Sequence, residues 1–170
     1  MGQPSVGRQR RGAPVYAGPV GWTTSAERSI LKAVNVLDRV SVQLPASHGS
    51  LADARRELRR ALGGAGWTDE TVDRVLVAVG EAMTNAVEHG SEAPATVHLD
   101  VVVERDQAVV SVRDEGAEGR TCPERVPPVP PASSVRGRGL VMIHALADEV
   151  RIRRRGKGTE VRLRFDRLAA

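Results

Sequence analysis

The stretch VAVGEAMTNAVEHG, residues 77–90, lies in the longest helical pattern of the chain. The pattern opens at Thr68 with Asp69 and Glu70, acidic residues typical of a first helical turn, and Gly90 ends it. Apolar residues recur through it at helical spacing, so we predict the central helix of the domain here. The buried stripe of this helix is expected to comprise Val72, Val75, Leu76, Val79, Met83 and Val87.

The polar residues of the same helix form a second pattern. Glu81, Asn85 and His89 follow one another at steps of four, which places them within an arc of about 80° on one helix face. Glu81 lies about 180° from the apolar stripe and Asn85 about 220°, so both point away from the main core contacts. Taken alone, this pattern also fits an ordinary solvated face.

The rest of the chain alternates between helical and strand patterns. Ser50 can cap a helix that ends at Gly63, and a further apolar helix begins near Gly137. We predict an α/β fold, a two-layer sandwich over 39–168 in which helices cover one face of a mixed sheet. Period-2 alternation places its strands near 39–45, 96–104, 108–113, 149–155 and 159–165.

Three segments lie outside this regular pattern. Residues 1–24 are rich in Gly, Pro and Arg without apolar periodicity, which predicts a disordered arm. Ile30, Val34 and Leu37 fall at helical spacing and predict an additional helix over 25–38. Residues 115–136 contain five prolines and no periodicity, which is typical of a functional loop, so we predict a lid there.

Composition excludes several classes of protein. Cys122 is the only cysteine, so an internal disulfide and a multi-cysteine zinc site are excluded, and a reducing cytoplasm is the expected compartment. No apolar run reaches the roughly 18 residues of a membrane-spanning helix. The chain has only four aromatic residues, two Trp, one Tyr and one Phe, so a base-stacking nucleic-acid platform is poorly supported.

The positive charge is concentrated at two places. The net charge is +4, and the first 20 residues carry three arginines without an acid. Residues 151–167 hold eight basic groups against Glu160 and Asp166. This excess fits either a solvated strand face or a patch that meets an acidic protein surface.

Three glycine-centred motifs follow the central helix. Asp114-Glu115-Gly116 ends a strand and also fits an ordinary turn. The run 136–140, RGRGL, precedes an apolar helix whose backbone amides can hold phosphate oxygens, although one GxG is a weak signal. Gly158-Thr159 opens the last strand, where the hydroxyl can face a ligand or simply favour the strand.

The order of these motifs carries a family resemblance. Glu-x3-Asn-x3-His on a helix, then DxG, GxGL and GT, resembles the histidine-kinase-like ATPases, the GHKL or Bergerat fold of DNA gyrase, histidine kinases and MutL. The segments VAVGEAMTNAVEHG and GRGLVMIHALADEV are most similar to the anti-sigma factor serine/threonine kinases of bacterial partner switching. The resemblance covers about residues 40–166.

The resemblance implies roles for four of the residues. Glu81 would be the general base that activates the attacking hydroxyl, and Asn85 would hold the magnesium ion that bridges the nucleotide phosphates. Asp114 would accept a hydrogen bond from the adenine amino group. Gly116 would let the backbone approach the base.

It also implies a phosphate-binding segment. Gly137, Arg138 and Gly139 would line the phosphates, and Leu140 would belong to the same nucleotide-binding motif. Thr159 would complete the adenine pocket. The cofactors implied are ATP and Mg²⁺.

The implied function is an ATP-dependent serine/threonine kinase. It would phosphorylate a small antagonist protein and sequester a sigma factor, as a cytoplasmic homodimer without direct contact to nucleic acid or membrane. A nucleotide-dependent binding module without kinase activity is the alternative, because Glu118 stands where the family usually has a second glycine. A separate histidine-kinase catalytic domain is less favoured, since no helical hairpin with a phosphoacceptor histidine precedes the pattern.

Overall fold

Strands and helices form two layers in the computed structural model, which describes residues 6–8, 36–89, 95–116 and 138–167. The strands are β1 (Val6–Arg8), β2 (Val36–Pro45), β3 (Thr96–Glu104), β4 (Gln107–Arg113), β5 (Glu149–Arg155) and β6 (Gly158–Asp166). The helices are α1 (Gly49–Gly64), α2 (Asp69–His89) and α3 (Gly139–Leu146). The predicted two-layer α/β sandwich is therefore confirmed. Within the described ranges, no helix combines the length and apolar content that crossing a membrane requires.

The sheet is antiparallel throughout its described pairings. Its six strands lie in the order β1-β2-β3-β4-β6-β5. The expected mixture of parallel and antiparallel pairs is therefore wrong. Two helices connect β2 to β3 and return the chain to the end where β2 stops, so β3 runs back antiparallel. The pairs β3–β4 and β5–β6 are hairpins with tight turns, which can only be antiparallel.

The N-terminal predictions need two corrections. Val6–Arg8, within the segment expected to be disordered, is a strand that pairs with β2 and thereby satisfies the backbone groups of its edge. β2 already begins at Val36, so Leu37 belongs to a strand and not to the end of the predicted helix over 25–38. Pairing with β3 stabilises this extended conformation more than local helical spacing does. Residues 25–35 lie outside the described residues.

The core lies between the sheet and the helices. Every second residue of the strands points into it, as the alternation predicted, and α2 buries its stripe against them. Val, Leu and Ala dominate this core, and Trp67 and Phe165 are its aromatic residues. Fully buried members include Leu44, Leu58, Leu62, Val75, Val79, Met83, Leu99 and Leu163. The opposite sheet face carries mainly polar and charged side chains.

The end of β4 and the turn between β5 and β6 meet backbone to backbone. Gly116 has a φ of +83°, and a Cβ there would overlap the carbonyl of Lys157. A Cβ at Gly158 would in turn overlap the carbonyl of Asp114. Both positions therefore require glycine, the first for its backbone conformation as well as for space.

We expect Gly158→Ala to lower the free energy of unfolding by about 1–3 kcal/mol, because the added methyl forces two backbones apart. Urea denaturation followed by circular dichroism measures this loss. Gly64→Ala is the matched control, since a Cβ there meets nothing within 4 Å and alanine favours a helix. Equal stability of the two variants would contradict the close approach.

Candidate functional site

Helix α2 presents Glu81 and Asn85 side by side, one turn apart. Both are partly buried, while Val72, Val79 and Met83 on the opposite side of the helix are buried in the core. The predicted orientation away from the main core contacts is thus confirmed. The placement follows from the apolar stripe, because burying it leaves only one orientation of the helix.

The N-terminus of α3 lies directly against these two side chains. The position that a Cβ of Gly139 would occupy is 2.8 Å from Glu81 Oε2 and 3.6 Å and 3.7 Å from the two terminal atoms of Asn85. The structure therefore brings together two motifs that are more than fifty residues apart in sequence. A side chain at this position would have to displace the Glu81 carboxylate, so glycine lets α3 approach the carboxylate where it stands.

The first turn of α3 offers backbone N–H groups at this point. Arg138 occupies the N-cap position, where its side chain makes no capping hydrogen bond, and no acidic residue lies in the first turn. Arg138 is exposed, and Leu140 packs partly against the core. The amides and the positive end of the helix dipole favour an anionic ligand here.

An ion pair holds the other end of α3 to α2. Arg74 donates to Asp148, which follows α3, at 2.9 Å, and to the backbone carbonyl of Asp166 at 2.9 Å. The Arg74 guanidinium also lies 5.8 Å from the ring centroid of Phe165. These contacts fix how α3 lies along α2, and so they fix where its N-terminus meets Glu81.

Asp114 is the buried carboxylate of the region, 8% exposed at the end of β4. Its Oδ1 accepts the N–H of Thr159 at 3.0 Å, and its own N–H donates to the carbonyl of Thr159 at 3.0 Å. The bond to the carboxylate is charge-assisted and sets the side-chain orientation. The structure thus brings together Asp114 and Thr159, two residues to which the family resemblance assigned the adenine pocket.

The pair Glu81 and Asn85 lies at the same end of the sheet as Asp114 and Thr159. Glu115, next to Asp114, accepts the N–H of Thr96 at 3.3 Å, which joins the end of β4 to the start of β3. β3 follows α2, so this is also the end to which the C-terminal half of α2 points. Gly137 and residues 117–136 of the predicted lid lie outside the described residues.

Gly158 has a packing role that its sequence motif did not indicate. The motif predicted only that Gly158 opens the last strand, yet Gly158 and Gly116 together hold Asp114 and Thr159 in register. The contact of Gly139 with Glu81 was also not predicted, because glycine motifs predict a turn without indicating what approaches it. The available signal for Gly158 was a second glycine, Gly156, two residues before it.

The donor set fits the groups that the resemblance implies. A neutral amide and a carboxylate supply oxygen ligands, which Mg²⁺ prefers, beside a helix N-terminus suited to phosphate oxygens. The Asp114 carboxylate is a hydrogen-bond acceptor that is largely shielded from water, and this strengthens a hydrogen bond from a donor group of a ligand.

Known proteins are similar to this chain in sequence and in fold. The chain is 27% identical over 124 residues to the serine-protein kinase RsbW of Listeria monocytogenes, an alignment that covers 68% of this chain and 79% of that protein. It is 30% identical over 99 residues to the anti-sigma F factor of Clostridium acetobutylicum, covering 55% and 69%.

A solved structure supports the fold. The RsbU and RsbW domains of Rv1364c from Mycobacterium tuberculosis superimpose with a TM-score of 0.59 at 23% identity, over 77% of this chain and 33% of that one. This chain thus spans a third of that structure's length. The family model of the histidine kinase-like ATPase domain matches residues 44–165, so the chain belongs to the histidine kinase-like ATPase family.

Proposed function

We propose that this chain is an ATP- and Mg²⁺-dependent kinase that phosphorylates a serine or threonine of a small antagonist protein and also sequesters a sigma factor. The observation that carries the proposal is the Glu81 carboxylate, held beside Asn85 and the N-terminus of α3. The names of the relatives, a serine-protein kinase and an anti-sigma factor, support the same function.

Each residue of this group has a chemical task. Asn85 would contribute its amide oxygen to Mg²⁺, and the amides at Gly139 and its neighbours would hold phosphate oxygens. Bound Mg²⁺ supplies positive charge that offsets the charge of the transferred phosphoryl group. Glu81 accepts the proton of the substrate hydroxyl. At the same time the hydroxyl oxygen bonds to the γ-phosphorus, and the bond between this phosphorus and the ADP oxygen breaks.

Asp114 would select the nucleotide base. Its carboxylate accepts from the amino group of adenine, a donor that guanine lacks at that position. Thr159 holds the carboxylate through its backbone N–H and lines the same pocket. Gly116 and Gly158 keep the two segments close enough for this bond.

Three further properties remain predictions of this proposal. The protein would be a homodimer, it would be cytoplasmic, and it would make no direct contact with nucleic acid or membrane. The alternative function, a nucleotide-dependent binding module without phosphate transfer, is favoured by Glu118 at the position of the family's second glycine.

The direct test is Glu81→Ala, assayed with labelled ATP, Mg²⁺ and candidate antagonist proteins. Phosphate transfer should fall by about 10²–10⁴-fold, the usual contribution of a general base, while ATP binding is retained. Glu88→Ala, the same substitution on an exposed position of α2, is the control and should transfer phosphate normally.

The wild-type protein decides between the two functions in this assay. A wild type that binds ATP and a sigma factor but labels no antagonist would favour the binding module. If Glu81→Ala transfers phosphate at the wild-type rate, the carboxylate is not the base.

A second variant tests the contact between α3 and the base. In Gly139→Ala the methyl would lie 2.8 Å from Glu81 Oε2, so the flexible carboxylate has to move. We expect transfer to fall by about tenfold to hundredfold, because small misplacements of reacting groups are costly. Single-turnover kinetics measure the transfer step, and Gly63→Ala, which has open space, is the control.

A compensating change makes this test specific. Glu81→Asp shortens the side chain by one methylene and should slow transfer in the wild-type background. In Gly139→Ala the shorter side chain relieves the overlap, so the second substitution should cost less there. Strictly additive losses would show that Gly139 does not act through Glu81.

The adenine contact is tested by Asp114→Asn. Loss of the charge-assisted bond should weaken ATP binding by an amount on the order of 1.5–3 kcal/mol, measured by calorimetry. Asp106→Asn, in the exposed turn between β3 and β4, is the control. Equal affinity of the wild type for ATP and GTP would remove Asp114 from the base pocket.

A further inference from the structure

The outer face of β4, β6 and β5 carries an excess of positive charge. The register places six arginines and three carboxylates on this face, and none of its described cations is a lysine. We call this surface the arginine face. Its cations are Arg113, Arg151, Arg153, Arg155, Arg162 and Arg164, and its anions are Glu149, Glu160 and Asp166.

The carboxylates of the arginine face are already engaged with arginines. Glu149 pairs with Arg151 and Arg164, and Asp166 with Arg164. Glu160 pairs with Arg155 at 3.2 Å. Burial raises the pKa of Glu149, but the hydrogen bonds and charges of its two arginines outweigh burial, and the net shift is downward. The six arginines of the face outnumber its three carboxylates, so these charges sum to +3.

Two arginines of this face occupy opposed positions. Arg151 of β5 lies directly opposite Arg162 of β6 in the strand register, a position where a pair of opposite charges is the stabilising combination. On β3, burial and then the charge of Arg113 lower the pKa of His98. An anionic partner would add attractive contacts to this concentration of positive charge.

We propose that the arginine face is a docking surface for an acidic surface of a partner protein. Guanidinium groups match carboxylates in a two-pronged geometry, which lysines do not. Arg113, Arg151, Arg153 and Arg155 are exposed on this face, so a partner can reach their side chains. The surface is separate from the nucleotide site, and the proposal does not depend on kinase activity.

The chemistry of the face favours protein over nucleic acid as the occupant. The three carboxylates spread among the arginines would repel a phosphate backbone, whereas a protein surface of mixed charge can pair with both signs. Phe165 points into the core from β6, so it offers the face no ring for base stacking.

A purely protective role of the charges is the competing explanation. β5 is an edge strand, and charged side chains keep such edges from pairing with other chains. Glutamate protects an edge as well as arginine does. Reversing a charge therefore separates protection, which survives the change, from docking, which does not.

Arg162→Glu is the variant that separates folding from docking. The substitution places a carboxylate directly opposite Arg151, where opposite charges attract. The melting temperature of the variant should therefore equal or exceed that of the wild type. Binding of a fluorescein-labelled Glu/Asp-rich peptide to the full chain, measured by anisotropy, should weaken roughly threefold to tenfold. The affinity of the wild type should fall as salt is added.

Arg56→Glu is the matched control. Arg56 is exposed on α1, and its reversal changes the net charge by the same amount on the other layer. Peptide binding that is unchanged in this control supports the proposal. An equal loss in both variants, or no binding by the wild type, overturns it. A labelled DNA duplex that binds more tightly than the peptide and loses affinity in Arg162→Glu would instead assign the face to nucleic acid.

Discussion

Burial of the apolar stripe of α2 against the sheet is the constraint on which the rest of the structure depends. The stripe runs from Val72 to Ala86 and contacts the inward residues of the central strands. With one face of the helix committed to the core, the rotation of α2 about its own axis is fixed. This rotation places Glu81 and Asn85 at the boundary of α2 with α3.

A second constraint is steric, because three close contacts in the structure depend on glycine. Gly139 lets α3 reach the carboxylate on α2, while Gly116 and Gly158 let the end of β4 meet the β5–β6 turn. Each contact joins a loop to an element far away in the chain. The hydrophobic core sets the frame to within a few ångströms, and these contacts set the final distances among polar groups.

The sequence predicted the parts of the structure that depend on local pattern. The α2 stripe, the alternating strands and the spacing of Glu81 and Asn85 are periodic features, and each reflects a geometric repeat of the backbone. The start of β2 at Val36 was not predictable in this way, because helical and strand spacing compete there and pairing with β3 decides. The direction of the strands likewise depends on how the helices return the chain.

Contacts between distant glycines were beyond sequence reasoning for a related reason. The motif around Gly139 indicated a phosphate-binding turn, but only the packing of α3 along α2, held by Arg74 and Asp148, shows that the turn touches Glu81. The roles of the residues came from the family resemblance. Their proximity came from the fold.

The β5–β6 turn belongs to two regions of the molecule at once. It borders the arginine face at Arg155, and its Lys157 carbonyl lies against Gly116, two residues from Asp114. Because no space separates the two backbones, the turn cannot shift without moving the loop after β4. A ligand that displaces one segment therefore also displaces the other. If the chain has the proposed nucleotide site and docking surface, binding at one would change the affinity at the other, and thermodynamic linkage would make this effect reciprocal.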